Sequence, residues 1–130
     1  MSDSIKADLQ DYLTSIGQGD DVSIGGLPDT PDDVVVLEQY EGLSPIYKHE
    51  DTTKPAYERP SIQARTRSFD PEAAQLRAKQ LMGALCLTNV TLNGTFYQRV
   101  EAITSVIYIG LDTAKRHQYT VNFGVFKNFS

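Results

Sequence analysis

Few side chains in this sequence could do chemistry, and their spacing limits what that chemistry could be. Asp29, Asp32 and Asp33 crowd one short stretch. Carboxylates that close could hold a hard cation with help from carbonyl oxygens. The EF-hand spacing is absent, and the sequence Leu27-Pro-Asp-Thr-Pro-Asp-Asp33 predicts a turn-rich loop instead, since Pro fixes φ and Asp forms Asx-turns. His49 and His117 are the only histidines, and neither has a Cys or His neighbour at metal-ligand spacing. His117 follows Lys115 and Arg116 and reads as a solvated turn residue; His49 reads as a loop residue. Cys86 is the one cysteine, so no internal disulfide can form. It is expected to be a packed thiol at a helix end. Asp20 and Asp21 make no acid–base pair without a pocket. Arg65 and Arg67 share a strand face with Gln63. They could bind an acidic partner or a phosphate, or form an ordinary polar sheet face. Gly17-Gln-Gly19 and Gly25-Gly26 lack the context of a phosphate or dinucleotide loop. No catalytic, cofactor or metal site is predicted.

Charge narrows the partners. The net charge is -5, which argues against non-specific binding to nucleic acid or to an anionic membrane surface. Residues 1–60 carry 13 acids against 4 Lys/Arg, whereas residues 61–130 carry 4 acids against 8 Lys/Arg. If the two sets occupy different faces, one copy could dock on the next head to tail, which closes rings or builds filaments. The other reading is that both sets scatter over the surface of a monomer. Met1–Asp11 is too polar for a signal peptide, and no apolar run approaches the ~20 residues needed to cross a bilayer.

The elements that must position these groups follow from periodicity. A length of 130 residues fits one domain with one core. Ile5, Leu9, Tyr12, Leu13 and Ile16 form a helical stripe, with Ser4 as cap, Gly17 as stop, and Lys6, Asp8, Gln10 and Asp11 on the wet face. Val22–Gly25 is a short strand, and Val34–Tyr40 a central one. Residues 41–60 have no period and contain Pro45, Pro55 and Pro60. They are expected to be a long loop or arm that packs against its own domain or a partner. Ser61–Arg67 alternates as a strand, with Ile62, Ala64 and Thr66 on one side. Asp70-Pro71-Glu72 starts a second helix, which runs to about Cys86 and buries Ala74, Ala78, Leu81, Met82 and Leu85. Leu76 projects away from that stripe. Asn93-Gly94 turns a hairpin. A long strand from Thr95 to about Ile109 is expected to bend, and Gln118–Lys127 is the last strand. The prediction is an α+β fold in the order α-β-β-β-α-β-β-β, a largely antiparallel β-sheet with two α-helices packed on one face.

Four stretches together resemble the bacteriophage tail terminator or tail-completion family, often labelled minor capsid protein. They are Leu27–Asp33 leading into Val34–Leu37; Ile62–Arg67 with the helix containing Ala73-Ala74; Leu87–Tyr97 around Asn93-Gly94; and Tyr108–Asp112 followed by Arg116–Phe123. They span most of the chain in the family's order. The resemblance implies a non-enzymatic virion protein, assembled in the host cytoplasm, that forms a homo-oligomeric ring, a hexamer. That ring caps the head-proximal end of the tail tube, halts tube polymerisation and offers a head–tail joining surface. Its partners would be other copies of itself, the tail tube protein and a head-completion or connector protein, with DNA passing through the ring. The candidate interface residues are Tyr47, Lys48, His49, Glu50, Tyr57 and Arg59 of the arm, Arg65 and Arg67 of the strand after it, and Leu76. Two other readings stand beside this one: a neck connector subunit, and a small ligand-binding or enzymatic domain using Asp29–Asp33 and His49.

Overall fold

The computed structural model describes residues 5–48 and 51–128. The elements are α1 (Ile5–Ser15), β1 (Val22–Ser23), β2 (Val34–Lys48), β3 (Asp51–Ser68), α2 (Pro71–Ala84), β4 (Leu87–Leu92), β5 (Thr95–Ala102), β6 (Ile107–Leu111) and β7 (His117–Asn128). The strands form one sheet in the order β1-β2-β3-β7-β5-β4, with β6 also on β7. Every pairing is antiparallel except β1 with β2. This is the α+β architecture the sequence predicts.

One face of the sheet carries the core. Val35 and Leu37 of β2, Ile62 and Ala64 of β3, and Val121, Phe123 and Val125 of β7 alternate onto that face. There they meet Ile5, Leu9 and Leu13 of α1 and Leu81 and Leu85 of α2. Both helices therefore cover the same side. Asp70 caps α2 as expected: its Oδ1 accepts from the Glu72 amide at 3.0 Å, and Pro71 takes the first helical turn. Thr66 binds the helix to the sheet, its hydroxyl donating to the Ala74 carbonyl at 2.8 Å. Asn93 and Gly94 both have positive φ, 48° and 83°, as a type I′ hairpin turn requires.

The structure departs from the sequence reading in several places. The predicted cap Ser4 lies outside the described residues. Helix α1 ends at Ser15, so Ile16 leaves the buried stripe and is exposed. Asp8, expected on the wet face, is buried. The β4–β5 hairpin folds over it, and Tyr97 Oη and Asn93 Nδ2 both donate to its carboxylate. Helix α2 ends at Ala84, two residues short of Cys86. The cysteine falls in the connection to β4 and is exposed, not packed, while Leu87 takes the buried position. The predicted long strand divides into β5 and β6. At the break, the Ile103 amide donates to the Asn122 carbonyl at 2.8 Å and the Asn122 amide donates to Thr104 Oγ1 at 3.1 Å. His117 begins β7, half-buried, rather than ending a solvated turn.

Residues 41–48 and 51–60 are strand rather than loop. Strands β2 and β3 run on as a two-stranded arm past the rest of the sheet. Their register shifts four times beyond Tyr40. A bulge adds a residue to one strand and breaks the period of two, and proline removes a ladder donor. The arm therefore shows no alternation that sequence periodicity could detect.

Candidate functional site

The Leu27–Asp33 loop, expected to be rich in turns, is held by two arginines of the same chain. Arg67 follows the last outward-facing positions of β3 and is only 2% exposed. Its guanidinium donates to four carbonyls of the Leu27–Asp33 loop: Pro28 at 2.6 Å, Pro31 at 2.6 Å, Asp32 at 3.1 Å and Asp29 at 3.3 Å. Arg116 approaches the same loop from the β6–β7 turn. It donates to the Asp29 carbonyl at 2.6 Å and pairs with Asp32 Oδ1 at 3.2 Å and Asp112 Oδ2 at 2.8 Å. Two buried guanidiniums thus hold an exposed acidic loop by its backbone. Burial and the neighbouring Arg116 charge lower the pKa of Arg67. Burial also opposes the charge on Arg116, but Asp112, Asp32 and Asp29 outweigh it and raise its pKa. Hydrogen bonds from the Arg116 amide and then its side chain hold the Asp112 carboxyl below its usual range. Among the described residues, no three His, Cys, Asp or Glu converge on a point where a metal ion could sit.

The remaining sequence candidates are dispersed. His49 and Glu50 lie outside the described residues, and for Tyr47 and Lys48 only the β2 backbone is described. Tyr57 and Arg59 are half-buried on β3 at the base of the arm. The Tyr57 ring stands 5.4 Å from that of Phe126. Nearby, Lys127 is buried and donates to Glu58 Oε1 at 2.8 Å, joining β7 to β3. Arg65 is half-buried on the outer sheet face, and its Nε is enclosed with no hydrogen-bond partner. Leu76 is 58% exposed. It lines a cavity of about 230 Å³ with Asp20, Asp21, Asp33 and Arg77. His117 Nδ1 lies 3.0 Å from Tyr108 Oη.

Two surfaces escape the sequence reading. The first is a groove of about 540 Å³ across the outer sheet face. Tyr40, Ser61, Gly124 and Glu101 stand side by side across β2, β3, β7 and β5. The small residues Ser61 and Gly124 form its floor, and Arg59, Arg99, Ile103 and Phe126 rise around it. The ion pair of Arg99 with Glu101 at its rim, at 3.3 Å, is largely exposed and adds little stability. The second is β6, an edge strand whose Ile107, Tyr108, Ile109 and Leu111 are between 42% and 53% exposed. A run of consecutive apolar residues normally signals a strand covered on both faces. Here the same run lies at an edge with both faces open, which soluble monomers avoid.

Comparison with known proteins identifies the family. The family model described as bacteriophage tail terminator protein matches residues 12–125. No curated protein sequence matches the chain. Among solved structures, a chain of the virion of a native gene transfer agent particle is similar, with TM-score 0.68 and 13% identity, covering 97% of this chain and 96% of that one. A second solved chain, without a functional name, has TM-score 0.54 and 18% identity over 97% of this chain and 94% of its own. At these identities the two structures establish the fold only. The family match, which spans most of the sequence, goes further: the chain belongs to the bacteriophage tail terminator family and is a structural protein of a phage tail.

Proposed function

We propose that this chain acts as a single domain that assembles into a ring, a hexamer, at the head-proximal end of the phage tail tube. The ring halts addition of tube protein and presents its far side to the head-completion or connector protein. DNA passes through it. The role is structural, not enzymatic, and is carried out in the virion after assembly in the host cytoplasm. The observation that carries this reading is the family match over residues 12–125. The exposed apolar strand β6 supports it, because a surface of that kind gains stability by being covered.

In this reading the arm residues Tyr47, Lys48, His49 and Glu50, with Tyr57 and Arg59 at its base, contact the tube or an adjacent subunit. Arg65 and Leu76 serve subunit contacts. Arg67 acts indirectly, by fixing the acidic loop. The experiment has two parts. Light scattering on the purified protein, alone and with tube protein, should find a closed oligomer. Tails assembled without this protein should lose their uniform length in electron micrographs. A strictly monomeric protein together with tails of normal length would overturn the proposal.

A further inference from the structure

On one side the sheet ends on β4 at one level and on β6 at another, and on the opposite side it ends on β1 and the outer edge of β2; where β4 is exposed it is polar, at Thr88, Asn89 and Thr91. Near Val35 the strands run β1-β2-β3-β7-β6, so β6 is the last on one side. On the other side β1 covers β2 only at Val35 and Val36. Among the described residues, the rest of the outer edge of β2 pairs with nothing, from Glu38 to the tip of the arm. Unpaired edges of this kind are templates for another chain. The edge of β1 is different: α1 blunts it, with Gln10 Nε2 donating to the Val22 carbonyl at 2.9 Å and Lys6 Nζ to the Ile24 carbonyl at 3.1 Å.

We propose that strand β6 of one copy pairs, antiparallel, with the arm edge of β2 in the next copy of this chain. This rests on the ring reading above and names the joint within it. Two observations favour the arm as occupant. The sense is right: β6 is antiparallel to β7, β7 to β3 and β3 to β2, so β6 laid beside a neighbour's β2 is antiparallel to it. The composition matches, since the sequence of the arm edge includes Tyr40, Leu43 and Ile46 and that of β6 includes Ile107, Tyr108, Ile109 and Leu111. Because the two edges differ, the contact is head to tail and leaves one of each free on every pair, which a closed ring satisfies. The free part of β2 begins beyond the β6 row, so neighbours are staggered along the strands. A stagger of about 20 Å across a four-strand width of about 19 Å tilts strands by roughly 45° from the ring axis, the tilt that closed sheets adopt.

Disulfide trapping tests this. In a Cys86→Ser background, Ile109→Cys is combined with a second cysteine at each of residues 41 to 46 in turn. Oxidation of the assembled protein should give a ladder of covalent oligomers for at least one pair, and none for Ile109→Cys alone. Dimers from Ile109→Cys alone would show a two-fold contact and overturn the proposal, as would the absence of any ladder from an assembled protein. Independently, Ile109→Asp should raise the concentration needed for assembly by roughly tenfold or more and leave the unfolding midpoint unchanged, because Ile109 is exposed. If wild type assembles and Ile109→Asp assembles equally well, the joint is elsewhere and the ring stands. If wild type assembles under no condition, the ring itself falls.

Discussion

Replacing Arg67 by methionine keeps much of the side chain's length and removes its guanidinium. The Pro28, Pro31 and Asp32 carbonyls then lose this donor, and that of Asp29 keeps only its bond from Arg116. The two bonds at 2.6 Å are charge-assisted, and such bonds contribute about 1.5–3 kcal/mol each. Three effects reduce the loss. The loop is exposed, so water replaces part of what is removed; methionine avoids burying a charge; and the repulsion from Arg116, which lowers the Arg67 pKa, disappears. The expected cost is about 2–4 kcal/mol, a large share of the roughly 5–15 kcal/mol that holds a domain together. Urea denaturation followed by circular dichroism measures it, with Arg65→Met as the control on the same strand face. Arg65 has an enclosed Nε without a partner, so its replacement should change stability by less than about 1 kcal/mol. If Arg67→Met unfolds within about 0.5 kcal/mol of wild type, the clamp does not hold the loop. Arg67 would then be free to serve an interface, as its sequence position suggests.

Three further outcomes follow from the interior. Tyr97→Phe should destabilise by about 1.5–3 kcal/mol, because the buried Asp8 carboxylate loses a donor; thermal melts of Tyr97→Phe against wild type measure this. Burial first, and then Asp8, raise the Tyr97 pKa above the ordinary value near 10. Its contribution is therefore complete below pH 10 and falls above it by up to about 1.4 kcal/mol per pH unit, so the wild-type denaturation midpoint should drop between pH 10 and 11.5 more steeply than that of Tyr97→Phe. Gly19→Ala should cost about 1–3 kcal/mol, since the added Cβ would lie 2.7 Å from Thr14 Cα and the turn after α1 must shift; an unchanged melting temperature would show that the turn yields freely.

What was legible in the sequence was what local chemistry decides. The Asp70-Pro71 start of α2, the Asn93-Gly94 turn and the alternation of β3 and β7 each depend on a few adjacent residues, and each is present. The failures share a cause: a distant segment changes what a residue faces. Asp8 looks solvated until the β4–β5 hairpin folds over it. Arg67 looks like Arg65 until the Leu27–Asp33 loop folds under it. The arm looks structureless because its bulges destroy the period.

The same contrast separates stability from assembly in this molecule. Its buried ions, Arg67, Arg116, Asp8 and Lys127, each meet partners from segments far apart in sequence. Removing one partner of such a group leaves the other poorly solvated, which makes these positions sensitive to substitution. Ile107, Ile109 and Leu111 of β6, and Leu76 beyond them, are 42% to 58% exposed. Their loss removes few internal contacts and should scarcely move the unfolding transition. A variant that folds normally but fails to assemble is therefore expected at Ile109 or Leu111, and one that assembles poorly because it folds poorly at Arg67. Measuring unfolding midpoint and oligomer size on the same samples tells the two apart. Charge reversal on the Arg65–Arg67 face mixes both effects in one variant and is informative only when Arg65 is changed by itself.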